Sequence, residues 1–148
     1  MEALMLSLLV WIGANSDFKI PENQSAHPKI EYVTRDALNR KIFGVIGSAK
    51  KNADTVNAWY DDRANKIYLA KDFNPAKLED RRTIVHELVH FLQTHNKIKY
   101  ECLNPKEREA YKIASLWGME KGITDDYSIY WIYGPRGCVS EMPPDFYP

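Results

Sequence analysis

The sequence predicts an α+β domain in which a small antiparallel sheet lies beside two helices. Three observations carry this expectation. Two short strand-like runs, residues 57–60 and 66–70, flank the polar loop 61–65, as in a hairpin. A broad helical pattern follows over Leu78–His95, with apolar residues at 84, 85, 88, 89, 91 and 92. A second helical segment, 106–119, carries Glu107, Ala110, Tyr111 and Ala114 along one face.

Taken in order, the chain opens on an apolar run over residues 3–12, too short to span a bilayer. Ala14-Asn15-Ser16 then has the small-x-small form of a signal-peptidase site. The sequence therefore predicts a signal peptide over 1–16 and an exported domain over 17–148, periplasmic or secreted. Glu2 precedes the apolar run without any Lys or Arg, and a buried first helix is the competing reading. Residues 17–28, with Pro21 and Pro28, read as loop. Thr34 suits the cap of a short helix, and 43–48 reads as strand or turn. The strand at 66–70, just upstream of the long helix, is a candidate edge for an extended peptide.

Asn104 and Pro105 look like the cap and first position of the second helix, with Gly118 and Gly122 as places to stop. Thr124-Asp125-Asp126 reads as a cap for an aromatic segment, 127–133, and Pro143, Pro144 and Pro148 extend the tail. At 148 residues, with 20 basic and 20 acidic side chains, the chain is one domain of zero net charge. It has no basic stripe, so nucleic acid is not an expected partner. Cys102 and Cys138 are its two cysteines and suit one disulfide in an oxidising compartment.

The long helix carries His86-Glu87-Leu88-Val89-His90, an HExxH pentad. Positions i and i+4 of a helix lie one above the other, so both imidazoles can reach one metal ion. Glu87 is then placed to act on a water at that metal. Zinc in a catalytic site takes three protein ligands and one open position. A histidine six residues after His90 would complete the longer metzincin motif, but Asn96 stands there and Gln93 replaces its glycine. His95 reads as a C-terminal helix residue favoured by the dipole. The better third ligand is Glu107 on the second helix, where Ala110 and Ala114 allow close approach. Glu109 competes, although it points almost to the opposite side of that helix.

HExxH followed by the segment Glu107-Arg-Glu-Ala-Tyr111 resembles the gluzincin branch of zincin-like metallopeptidases. More closely, residues 85–93 (Val-His-Glu-Leu-Val-His-Phe-Leu-Gln), Tyr100-Glu-Cys102 and 107–111 resemble a family of short, exported bacterial zincin-like proteins. The resemblance covers roughly residues 60–120. It implies a zincin-like fold, one zinc ion held by His86, His90 and Glu107, and hydrolysis of a peptide or protein substrate. Glu87 would be its general base, and Tyr111, Tyr100 and His95 are candidate oxyanion donors. One departure stands out: many gluzincins have Asp where this chain has Tyr111, so a carboxylate that orients a histidine is missing there. A non-catalytic exported binding protein with a structural zinc is the alternative.

Overall fold

The computed structural model describes residues 1–46 and 56–124. Along the chain run α1 (Glu2–Ala14), β1 (Lys29–Val33), α2 (Arg35–Ile46), β2 (Ala58–Asp61), β3 (Lys66–Ala70), α3 (Leu78–His95) and α4 (Leu103–Glu120). One 3₁₀ turn, Gln24–Ala26, interrupts the loop before β1. The fold is α+β. The aromatic segment 127–133, Cys138 and the proline-rich tail lie outside the described residues.

The sheet is mixed, where the sequence predicted an antiparallel one. Its order is β1-β3-β2. β2 and β3 form the expected hairpin, pairing Ala58 with Leu69 and Asp61 with Lys66. β1 runs parallel to β3, from Lys29 opposite Lys66 to Val33 opposite Ala70. A parallel pair needs a long crossover, and the path through α2 supplies it. β1 had no clear sequence signal because it buries little: Lys29, Glu31 and Tyr32 are exposed, and Ile30 and Val33 only half-buried. Its addition makes β3 the central strand. The edge that faces the helices is therefore β2, not the strand at 66–70.

α2 begins as expected, with Thr34 Oγ1 accepting the Ala37 amide at 3.2 Å. It then continues through residues 43–46, which the sequence suggested as strand or turn. Leu38 and Ile42, one turn apart, bury against Tyr68 and Ala70, and this stripe favours helix. Gly44 within it costs only about 1 kcal/mol relative to alanine.

α1 sits in the main core. Met5, Leu8, Leu9 and Ile12 form an i, i+3, i+4, i+7 stripe that packs in one cluster with Ile84, Leu88 and Leu92. The chain leaving α1 is pinned to the end of α3. There the Asn96 side chain accepts the Lys19 amide at 2.9 Å and donates to the Lys19 carbonyl at 3.1 Å.

α3 spans the range read from the sequence. It is buried almost all round from Ile84 to Gln93, because α1, β2 and α4 all pack against it. Asp80 ties its first turn down by accepting the Asn74 amide at 2.7 Å. α4 starts one residue before Asn104, with Cys102 at the N-cap position, correcting the expected cap. Ala110, Ala114 and Gly118 lie four apart along the buried face of α4. A Cβ at Gly118 would come within 3.0 Å of the Arg82 side chain on α3, so the missing side chain permits the close packing. Gly122, at φ +83°, ends the helix in a Schellman turn closed by the Ile123 amide on the Gly118 carbonyl at 2.9 Å.

Cys102 is disulfide-bonded; Cys138, its expected partner, lies outside the described residues. Among the described residues, no helix is long and apolar enough to cross a membrane.

Leu9 is 1% exposed in the shared core. Leu9→Ala in the intact chain should therefore cost about 2–5 kcal/mol in urea unfolding. A loss of only a few tenths of a kcal/mol would show that α1 contributes little to the fold.

Candidate metal centre

Two turns of α3 and the first turns of α4 build the site. His86 and His90 project from one face of α3, 7% and 8% exposed, with their Nε2 atoms 3.0 Å apart. From α4, Glu107 reaches between them. Its Oε2 lies 3.2 Å from His86 Nε2, and its Oε1 lies 3.3 Å from His90 Nε2. The small residues at 110 and 114 let the helices approach closely enough for this reach.

The spacing suits a metal. One ligand atom from each of the three residues lies within 4.8 Å of the other two; the Nε2 atoms are 3.0 Å apart, and Glu107 offers a different oxygen to each. His86, His90 and Glu107 thus form a buried group that can hold a metal ion. The donor set, two imidazole nitrogens and a carboxylate, leaves a fourth position for water or substrate.

Glu87 turns to a different neighbour. Its Oε2 accepts the Tyr60 amide of β2 at 2.7 Å, and the residue is buried. The hydrogen-bonding alternation of the hairpin explains this. Ala70 donates to the Asn57 carbonyl at 2.9 Å, so the backbone groups of Ala58 and Tyr60 point away from β3. Glu87 therefore stands at the outer edge of β2, which no other described strand covers.

A polar layer lies behind His90. Its Nδ1 is 2.8 Å from Gln93 Oε1. Gln93 Nε2 donates to the Lys106 carbonyl at 2.9 Å and to Glu109 Oε2 at 3.0 Å. The Tyr100 hydroxyl donates to the same Glu109 oxygen. Glu109, the competing third ligand, is accordingly committed to this layer and is not beside the two histidines. Its side chain does reach α3, contrary to the sequence-based view of it on the far side of the helix. Gln93 was noticed in the sequence only as a departure from the metzincin motif. Its i+3 spacing from His90 was the available signal.

The expected oxyanion donors separate clearly. Tyr111 packs its ring on His86, 4.4 Å between centroids. Tyr100 belongs to the Glu109 layer. His95 packs on Phe91, 5.8 Å between centroids, on another part of α3. His86 Nδ1 is buried without a hydrogen-bond partner among the described residues.

Electrostatics bind the trio together. Burial alone would raise the Glu107 carboxyl, but the charge of His90 and the hydrogen bonds from both histidines outweigh it. They hold it well below the usual carboxylate range. Burial would likewise lower His90, yet the facing Glu107 carboxylate prevails and raises it.

The sequence profile that matches this chain, over residues 1–145, is that of a domain of unknown function, DUF6647. The chain belongs to the DUF6647 family. No curated protein and no solved structure matches it. The DUF6647 profile spans both helices that carry the trio but brings no activity with it, so the chemistry has to be argued from the site.

The two shifts have opposite pH signatures. Stability from His90 is complete below its ordinary 6.5 and is lost as pH rises through its raised folded value. Stability from Glu107 is present above 4.5 and is lost as pH falls through its lowered value. Metal-free protein should thus gain most from the pair between these ordinary values and melt at lower temperature as pH climbs above 6.5. A divalent metal needs deprotonated ligands, so its stabilisation should grow over the same interval. Thermal melts from pH 5 to 9, with chelator or with zinc, test this; superimposable curves would show that the trio takes no metal.

Proposed function

We propose that this protein is a zinc-dependent peptidase. The observation that carries the reading is the placement of Glu87 at the outer edge of β2 while its neighbours His86 and His90 converge with Glu107. Zinc is preferred because two imidazoles and one carboxylate suit its ligand chemistry and leave an open position. His86, His90 and Glu107 would hold the ion. Bound zinc supplies Lewis-acid chemistry: it acidifies a water and polarises a carbonyl.

The chain's own groups do the rest. An extended peptide pairs with the outward N–H and C=O groups of Ala58 and with the Tyr60 carbonyl, and displaces Glu87 from the Tyr60 amide, a form of strand addition. Such pairing brings the scissile amide past Glu87. The Glu87 carboxylate takes the proton of the attacking water and passes it to the leaving amine. Tyr111 walls the site on the His86 side, and the buried surroundings keep bulk water away from the reacting groups. These features together support the resemblance to zincin-like metallopeptidases noted in the sequence.

The alternative is a non-catalytic exported binding protein with a structural zinc. It draws on one feature: Glu87 is already occupied by the Tyr60 amide. Glu87→Gln separates the two readings. It should keep about one zinc per chain and lower peptide cleavage by about 10²–10⁴-fold, while His86→Ala and Glu107→Ala should lose the metal. Elemental mass spectrometry and a peptide-library digest give both quantities. Zinc retention with no cleavage by the wild type selects the binding protein, and undiminished cleavage by Glu87→Gln removes the mechanism.

Export belongs to the same proposal, and the Cys102 disulfide supports an oxidising compartment. Cleavage near Asp17 would remove the four buried side chains of α1. N-terminal sequencing of protein recovered from its native host decides the fate of that segment. A start at Asp17 makes α1 a leader, and a retained α1 makes it part of the working fold.

A further inference from the structure

The polarity of the layer behind His90 can be worked out from its far end. The Lys106 carbonyl only accepts hydrogen bonds, and the Glu109 carboxylate, already accepting from Tyr100, is an acceptor too. Both lie against the same end of the Gln93 amide, so that end must be the NH₂. Gln93 Oε1 is then the atom that faces His90, and it can only accept. Its partner at 2.8 Å, His90 Nδ1, must therefore carry a hydrogen. The Nδ1 proton is fixed by three groups outside the site, and the ring presents Nε2 to Glu107 and His86.

We propose that Gln93, anchored by Glu109 and Tyr100, is a positioning residue that locks His90 in its Nδ1–H tautomer. This lock takes over for His90 the orienting role that a carboxylate plays in other metal sites. The inference rests on the metal-binding reading above, since the exposed Nε2 matters only to an ion held by the trio. Several observations favour a built device over incidental packing. Gln93 is 1% exposed, and each polar atom of its amide has a partner. Its anchors come from α4 and from the loop before α4, so the lock also ties the helix of Glu107 to the helix of His90. His86 offers a contrast, since its Nδ1 is buried with no hydrogen-bond partner among the described residues. Among the described residues the two histidines thus differ at Nδ1, which is hydrogen-bonded in His90 and not in His86.

Polarity, not bulk, is the testable content. Gln93→Met keeps the volume and removes the acceptor. The double variant Gln93→Glu with Glu109→Gln restores an acceptor facing His90 and a donor from residue 109, with charge conserved across the pair, although the Lys106 carbonyl loses its donor. Zinc affinity of the intact chain, measured by competition with a chromophoric chelator, should fall about 10–100-fold in Gln93→Met and recover in part in the double variant. Ring ¹⁵N spectra of the metal-free wild type should show His90 protonated on Nδ1. Equal affinity in all three proteins overturns the proposal, as does an equal loss in both variants. A wild-type His90 ring protonated on Nε2 alone, or a mixture of neutral tautomers, overturns it without any variant. A wild type that binds no zinc sinks the parent reading instead, and the ring spectrum still decides the tautomer lock.

Discussion

Two imidazoles and a carboxylate packed together in a protein interior carry a desolvation cost that must be met by mutual interaction or by an ion. That constraint governs the helical layer of this protein. His86 and His90 are in the interior because α1, β2 and α4 all pack against α3, and Glu107 reaches them because α4 packs closely through Ala110, Ala114 and Gly118. The same close packing brings Glu109 and the Lys106 carbonyl within reach of Gln93. One helix pair therefore sets both the trio and the polar layer that supports it.

The sheet contributes through its edge. Because β1 pairs parallel to β3, the hairpin strand β2 becomes the strand that meets α3. Its outward amide at Tyr60 captures Glu87, the pentad residue that does not face the trio. On the proposed reading, ligands and base are divided between two neighbours: α4 completes the ligands, and β2 holds the base. On that reading a peptide added to β2 would compete with Glu87 for the Tyr60 amide, which would link substrate pairing to release of the carboxylate.

Much of the site was legible because helical spacing is rigid. His86, Glu87 and His90 follow from one pentad, and the bounds of α3 follow from its apolar pattern. Glu107 was distinguishable from Glu109 by the face it shares with Ala110 and Ala114. What the sequence did not disclose depends on contacts between distant segments. β1 buries little and its parallel pairing is set by the α2 crossover, so alternation alone gave no register. The apolar run of α1 reads as a leader, with a core helix as the competing reading, because its composition does not say what it packs against. Glu109 has no local mark of its role; only the closeness of the two helix ends turns it toward Gln93. Tyr100 likewise joins that layer through the turn between α3 and α4, which no periodicity predicts.

On the proposed reading, His86, His90 and Glu107 hold one zinc ion with a position left open. X-ray absorption at the zinc edge of the zinc-loaded protein reads those ligands. Only nitrogen and oxygen ligands at about 2.0–2.1 Å are expected, with two imidazole scattering contributions and a light-atom fourth ligand exchangeable for an inhibitor. Sulfur ligation at about 2.3 Å, or a single imidazole, would contradict it and place the metal elsewhere on the chain.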